Sequence, residues 1–167
     1  MIEVFAADEQ TDVPVDLARW SELVRATLDA EGVRGDVEVS LIFSDEATIA
    51  ELNTRFMGKS GPTDVLSFPI DDEPPQSGRV PDSGGTGPGD PPEPSIPVLV
   101  GDVVICPSVA ARNAVEHEVS FDFEVALLCV HGVLHLLGWD HVDETEAEAM
   151  EARERELLVR FNQVHGS

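Results

Sequence analysis

The sequence predicts an α+β domain in which about five helices pack against a mixed four-stranded sheet. Strand candidates lie mainly early in the chain, and the longest helix candidates lie late. Residues 37–43 alternate and are rich in β-formers, as a strand requires. Residues 121–137 are almost entirely apolar between Glu124 and His131, which predicts a helix buried on most sides. With 167 residues and 42% hydrophobic content, we expect a single domain over residues 1–167.

In the first part of the chain, strand and helix candidates alternate. Apolar residues recur at helical spacing over residues 16–31, and Gly32 closes that helix. Ser44 offers an N-cap for the next helix, whose apolar face is formed by Ile49, Leu52 and Phe56. The predicted elements are a strand over 2–6, a helix over 16–31, a strand over 37–43, a helix after Ser44, a loop over 58–62 and a strand over 65–68.

The composition changes sharply between residues 71 and 97. This segment holds eight of the twelve prolines and five of the thirteen glycines, with few large apolar residues. It cannot bury enough surface to fold by itself, so we expect a surface loop inserted between two strands.

The chain after this segment begins with a strand and continues with helices. Residues 98–105 are typical of a buried central strand, and Pro107 suits the first turn of the helix that follows. The last helix, over 144–161, is acidic at its start and basic later, which matches the helix dipole. Its core stripe consists of Ala147, Met150, Leu157, Leu158 and Phe161.

The charge balance is strongly acidic. The chain has 33 acidic and ten basic residues, a formal net charge of −23, and Lys59 is its single lysine. This balance argues against a broad phosphate-binding face. A nucleic-acid substrate stays possible, because charges are screened over about 8 Å at physiological salt and a local dication outweighs distant carboxylates.

The sequence is also typical of a cytoplasmic protein without a membrane anchor. We find no apolar run of roughly 18 residues, and residues 1–6 lack the basic start and apolar stretch of a secretory signal. Cys106 and Cys129 lie inside apolar runs and not at paired-ligand spacing, which indicates buried free thiols in a reducing compartment.

Three of the five histidines fall in one eleven-residue segment, HGVLHLLGWDH at residues 131–141. Residues four apart on a helix project from one face, so His131 and His135 converge on one point. Gly138 is suited to end the helix in a left-handed conformation and to let His141 reach the same point. Three neutral imidazoles with an open fourth position form a catalytic zinc site, so we predict one zinc ion per chain with bound water.

The histidine spacing resembles the zinc-protease pattern His-Glu-x-x-His-x-x-Gly-x-x-His of zincin-like metal helices. Gly132 stands where that pattern has its glutamate general base. Glycine offers no proton acceptor and destabilises a helix interior by about 1 kcal/mol, which indicates that space beside the metal is needed. Protease chemistry of the usual kind is therefore disfavoured.

Four sequence blocks together resemble the YbeY family, bacterial endoribonucleases that mature ribosomal RNA. They are Leu52-Asn53, GPTDVLSFP at 61–69, GDVVI at 101–105 and the histidine segment, in this order over residues 52–141. The resemblance implies a cytoplasmic, zinc-dependent endoribonuclease that is specific for single strands. It also implies action on the 3′ end of 16S rRNA, in maturation and ribosome quality control, with the small ribosomal subunit as partner. His131, His135 and His141 carry over as the zinc ligands.

One position departs from the family pattern. The family often has an arginine after the aromatic residue that follows Leu-Asn, whereas here Met57 follows Phe56. Methionine does not pair with phosphate. Either Arg55 or Lys59 takes over this RNA contact, or both are solvated residues at a helix end.

Our mechanistic hypothesis is that a zinc-bound water attacks a backbone phosphate of single-stranded RNA while the ion offsets charge on the phosphoryl oxygens. A route through the 2′-hydroxyl of the substrate is the alternative. No protein general base stands out in the sequence.

Several other side chains have two interpretations each. Glu124, two turns before the first histidine, either orients a ligand imidazole or complements the helix dipole. Asp140 is either a partner of a ligand histidine or a turn residue. Trp139 either stacks on a base or covers a helix end. Asp64 and Asp102 match family blocks but are also ordinary turn or edge residues.

Two other functions remain alternatives. The first is a metal-dependent peptidase or amidase, which Gly132 disfavours. The second is a non-catalytic, zinc-stabilised ribosome assembly factor. Cleavage assays on RNA and on peptide, and ribosome association of a metal-free variant, separate the three.

Overall fold

The structure, a computed structural model, describes residues 1–69, 98–139 and 143–161. Within these ranges the chain forms four strands, five α-helices and one π-helical turn. Their order is β1 (Ile2–Asp8), α1 (Leu17–Ala30), β2 (Val37–Phe43), α2 (Glu46–Leu52), the π-helical turn (Asn53–Met57), β3 (Val65–Pro69), β4 (Val98–Ile105), α3 (Pro107–His117), α4 (Phe121–Leu136) and α5 (Glu144–Arg160). The predicted surface loop over 71–97 lies outside the described residues.

The four strands form one mixed sheet in the order β1-β2-β4-β3. β1 and β4 both run parallel to β2, and β3 is an antiparallel edge strand on β4. The predicted α+β fold with a mixed four-stranded sheet is therefore confirmed, and residues 98–105 do form a central strand. The physical reason is the apolar content of β2 and β4, which leaves both strands largely buried.

A bulge in β4 brings the sheet and α4 close together at Gly101. The register of β4 on β2 shifts between Glu38 and Val39, and Gly101 has a φ of +148°. A Cβ at this position would lie 2.5 Å from the carbonyl oxygen of Phe68 and 2.8 Å from Cδ2 of Leu136. Only glycine allows the edge strand and the last turn of α4 to approach this closely.

Helix α4 lies in the core, as its composition predicts. Ten of its sixteen residues are buried, including Val125, Val130 and Leu134, and it packs against α1, α3, α5 and the sheet. Cys106 and Cys129 are free and buried, also as predicted. In the described part of the chain, no single helix is long and apolar enough to cross a membrane, although α3 and α4 pass that test together as a pair bent by 114°.

The region of α2 differs from the prediction in two respects. Asp45, not Ser44, is the N-cap, because its side chain accepts a hydrogen bond from the backbone N–H of Thr48 at 2.8 Å. Phe56 does not join the apolar face with Ile49, since its side chain is 58% exposed. The π-helical turn adds a residue to the helical repeat, which rotates the following side chains by roughly 100° away from the core.

Candidate metal centre

Two imidazoles one turn apart on α4 face each other. The Nε2 atoms of His131 and His135 are 3.1 Å apart, and the two rings meet at 77° with centroids 4.5 Å apart. The helix that carries them is fixed at its start by Ser120, whose side chain accepts from the N–H of Phe123. The structure therefore brings together the two histidines that are predicted to bind the same zinc ion.

Glu154, on α5, lies behind the ring of His131. One carboxylate oxygen of Glu154 is hydrogen-bonded to Nδ1 of His131. A carboxylate only accepts, so in a neutral ring Nδ1 carries the proton and Nε2 presents its lone pair. The two Nε2 atoms then form a nitrogen donor set directed at one point, with a carboxylate fixing the tautomer, and this chemistry fits a zinc ion.

Glu154 was missed by the sequence analysis, although its position carries a signal. It lies on the helical stripe that includes Met150 and Leu157, and the residue is only 7% exposed. A carboxylate at a core position needs a charged or hydrogen-bonding partner. A glutamate inside an apolar stripe of the helix after a histidine motif is thus a candidate partner for a ligand histidine.

The third predicted ligand, His141, lies outside the described residues, as does Asp140. Among the residues that the structure does describe, no group of three or more histidine, cysteine, aspartate or glutamate side chains is arranged to hold a metal. The centre is therefore described by His131, His135 and Glu154, with the zinc ligation by His141 left as a prediction.

The turn that leads towards His141 is anchored firmly. Gly138, with a φ of +100°, ends α4 in a Schellman motif, in which the N–H of Trp139 donates to the carbonyl of Leu134 at 3.0 Å. Nε1 of Trp139 donates to Glu31 at 3.1 Å, and Arg153 of α5 binds the same carboxylate at 2.5 Å. The left-handed role predicted for Gly138 is confirmed, and Trp139 ties the turn to α1.

Gly132 serves helix–sheet packing, so the expectation that it makes space beside the metal is wrong. A Cβ at Gly132 would lie 2.7 Å from Cγ1 of Val103 and 3.4 Å from Oγ of Ser67. Oγ of Ser67 also donates to the carbonyl of Gly132 at 3.1 Å. A glutamate general base does not fit at this position, because the side chain would enter the contact between α4 and β4.

Glu124 contacts a histidine other than the predicted ligands. Its carboxylate, 2% exposed, lies 3.1 Å from Nδ1 of His117 at the end of α3. This hydrogen bond, together with the charge of Glu124, raises the pKa of His117 above its ordinary value. His117 therefore has a buried partner, although its own side chain is 54% exposed.

The remaining candidates lie on or near the edge strand. Arg55 and Met57 belong to the π-helical turn, and Lys59 follows it. Asp64 has a structural role: its side chain accepts from Nδ2 of Asn113 at 3.0 Å, and its carbonyl accepts from the N–H of Cys106 at 2.9 Å. Asp102 lies in β4, opposite Phe68 of β3.

Comparison with known proteins gives one consistent result. A family model described as Endoribonuclease YbeY matches residues 5–162. A protein named Endoribonuclease YbeY from Thermobifida fusca is 43% identical to this chain, over 90% of this chain and 88% of that protein. One of the same name from Moorella thermoacetica is 40% identical, over 91% of this chain and 92% of that protein. The solution structure of TM1509 from Thermotoga maritima is similar with a TM-score of 0.54 and 26% identity, over 97% of this chain and 92% of that one.

Proposed function

The chain belongs to the YbeY family of endoribonucleases, and on this premise we propose that it is a zinc-dependent enzyme that cleaves single-stranded RNA. Its proposed task is 3′-end maturation of 16S rRNA and ribosome quality control, on the small ribosomal subunit in the cytoplasm. The observation that carries the metal-dependent chemistry is the 3.1 Å approach of the Nε2 atoms of His131 and His135. The proposed functional unit is a single domain over residues 1–167.

We propose that His131, His135 and His141 hold one zinc ion. When bound, zinc supplies Lewis acidity, which lowers the pKa of water towards neutrality and offsets negative charge on phosphoryl oxygens. Glu154 keeps the proton of His131 on Nδ1, so that Nε2 is the ligand atom. Trp139, two residues before His141 in the sequence, is held by the hydrogen bond from its Nε1 to Glu31.

Arg55 and Lys59 are the proposed phosphate contacts near the edge strand. Two routes for the cleavage step follow from RNA chemistry, and they leave different ends. Attack by water leaves a 3′-hydroxyl and a 5′-phosphate, whereas attack by the 2′-hydroxyl of the RNA leaves a cyclic phosphate. Mass spectrometry of the product ends distinguishes the two routes.

The peptidase alternative is opposed by the packing of Gly132. The zinc-protease pattern needs a glutamate at this position, and the contact with Val103 leaves no room for one. The assembly-factor alternative predicts a different result from catalysis. A His135→Ala protein that lacks zinc but keeps full ribosome association would support that alternative. If the same variant kept all RNA cleavage, the proposed catalytic role of zinc would be contradicted.

The decisive experiment measures zinc and RNA cleavage in the same preparation. We expect about one zinc per chain by mass spectrometry, cleavage of a defined single-stranded RNA, loss of cleavage with a chelator, and recovery when zinc is restored. Casein and peptide substrates serve as the parallel assay and should stay intact. Metal-free protein that does not take up zinc, or RNA that stays intact with zinc present, contradicts the proposal.

A further inference from the structure

An aromatic ring is held at the surface beside the edge strand. The side chain of Phe56 is 58% exposed, and its ring meets that of Phe68 edge-to-face, with centroids 5.4 Å apart and planes at 70°. Because Phe68 contacts Phe56 in this tilted geometry and leaves most of its ring surface uncovered, the ring is oriented by the protein and still accessible to a ligand.

The backbone around Phe56 is also fixed. Nδ2 of Asn53 donates to the carbonyl of Gly61 at 3.0 Å, and Oγ1 of Thr54 donates to the carbonyl of Lys59 at 2.9 Å. These two bonds close the segment into a defined loop after the π-helical turn. The exposed ring therefore does not belong to a freely moving chain end.

Two of the chain's ten basic residues lie within three positions of this ring in the sequence. Cζ of Arg55 lies 5.4 Å from the centroid of Phe56, and Lys59 follows three residues after the ring. Arg55 and Lys59 form no ion pair with any carboxylate in the described ranges. In contrast, carboxylates pair with five arginines elsewhere: Arg19, Arg25, Arg34, Arg112 and Arg153. We call Arg55, Phe56 and Lys59 the Phe56 patch.

The Phe56 patch is connected to the metal centre through one strand. Phe68 contacts Phe56, and Ser67 directly precedes Phe68 in β3. Oγ of Ser67 is hydrogen-bonded to the carbonyl of Gly132. Gly132 is the residue next to His131. Neighbouring side chains on a strand point to opposite faces of the sheet, so the Phe56 patch and the helix that carries His131 lie on either side of the edge strand β3. An RNA strand that contacts both has to cross this edge.

We propose that the Phe56 patch binds an unpaired nucleobase, which stacks on the Phe56 ring while Arg55 and Lys59 contact the neighbouring phosphates. Every base has an aromatic face, so stacking is tolerant of sequence, and the cations supply charge complementarity to the backbone. A base in a duplex does not offer its face. The inference rests on the proposed RNA cleavage and gives it a physical source of single-strand preference.

The test compares zinc-loaded Phe56→Leu protein with wild type and with Phe5→Leu. Phe5 is a matched control, because it is 54% exposed and lies in β1, at the opposite edge of the sheet. We expect Phe56→Leu to raise KM for a single-stranded RNA about five- to twentyfold, with kcat changed by less than about twofold. Phe56→Trp should keep the wild-type KM, and Phe5→Leu should leave both constants unchanged.

A fluorescent base analogue reports the stacking directly. We expect the fluorescence of 2-aminopurine in single-stranded RNA to be quenched on rapid mixing with wild type, before cleavage, and much less with Phe56→Leu. An RNA with one abasic position tests the same contact from the side of the ligand. At one position in the RNA, the missing base should raise KM for wild type and have no further effect on Phe56→Leu.

The outcomes separate this inference from the proposed function. If wild type leaves RNA intact with zinc present, the proposed function fails. If wild type cleaves RNA, but Phe56→Leu keeps its KM and its quenching, or no abasic position raises KM, the stacking site is refuted while the nuclease stands. Binding of another protein at the Phe56 patch with unchanged RNA kinetics likewise refutes it.

Discussion

Nδ1 of His131 on α4 and the carboxylate of Glu154 on α5 are hydrogen-bonded across the interface of the two helices. Both side chains are largely shielded from water, with 27% and 9% of their surfaces exposed. The bond links α5 to the proposed metal centre, because it selects which nitrogen of His131 faces His135.

Removal of this carboxylate should weaken zinc binding without abolishing the fold. We expect Glu154→Ala to lower zinc affinity about 10- to 100-fold. Glu154→Gln should have a smaller effect, because the amide oxygen still accepts from Nδ1. Competition with a chromophoric chelator measures the affinity, and the visible spectrum of cobalt-substituted protein reports the ligand geometry. Glu151→Gln, an exposed position on the same helix, is the control; equal affinities for Glu154→Ala and Glu151→Gln would exclude the proposed role.

The third zinc ligand can be identified by comparing two histidines outside the described residues. We expect His141→Ala to lower zinc content as much as His131→Ala does, since a site with two protein ligands binds zinc weakly. His165→Ala should retain the wild-type zinc content. Elemental analysis of dialysed protein is the measurement, and full zinc content in His141→Ala would remove this residue from the ligand set.

Gly132→Ala should destabilise the protein although alanine favours helices. The added methyl group lies 2.7 Å from Cγ1 of Val103, so either the helix or the sheet must move. We expect a loss of about 1–3 kcal/mol in the free energy of unfolding, measured with urea on zinc-loaded protein. The double variant Gly132→Ala/Val103→Ala should lose less than the sum of the single variants, because the smaller residue 103 makes room. Strict additivity would show that the two positions do not clash.

The pair of His117 and Glu124 should make stability depend on pH. The hydrogen bond to Glu124 raises the pKa of His117 from its ordinary value of 6.5, and the charges of Glu116 and Asp64 act in the same direction. A raised pKa in the folded state stabilises the fold fully below about pH 6.5, and this contribution is lost as pH rises through the folded-state pKa. The difference in unfolding free energy between wild type and His117→Gln should therefore shrink from pH 6 to pH 9. A difference that grows with pH would contradict the assignment.

RNA binding should depend only weakly on salt. With Arg55 and Lys59 as phosphate contacts, we expect a plot of log KM against log salt concentration to have a slope of roughly 1.4, since each contact on a single strand contributes about 0.7. Arg55→Gln should reduce this slope by about 0.7, whereas Arg34→Gln, a residue paired with Asp29, should leave it unchanged. A steep slope in wild type would point to further cations in contact with RNA.

The sequence by itself determined the order and type of the main elements, because each depends on local patterns. The alternation in residues 37–43, the apolar run of α4 and the glycine at 138 each specify a conformation through interactions within a few residues. The i, i+4 spacing of His131 and His135 likewise places both rings on one helical face, and the structure brings them together. The ligand role of His141 stays a prediction.

Tertiary structure decided which side chains meet across elements. Nothing local to Glu154 shows that α5 lies behind His131, nothing near Gly132 shows that Val103 presses on it, and Glu124 is bound by a histidine on a different helix. Sequence periodicity specifies which face of a helix is buried, whereas the identity of the partner depends on how helices and strands are arranged in space. For this reason the pairing of two histidines on α4 was predictable. Periodicity marks Glu154 only as a buried carboxylate and does not identify His131 as its partner.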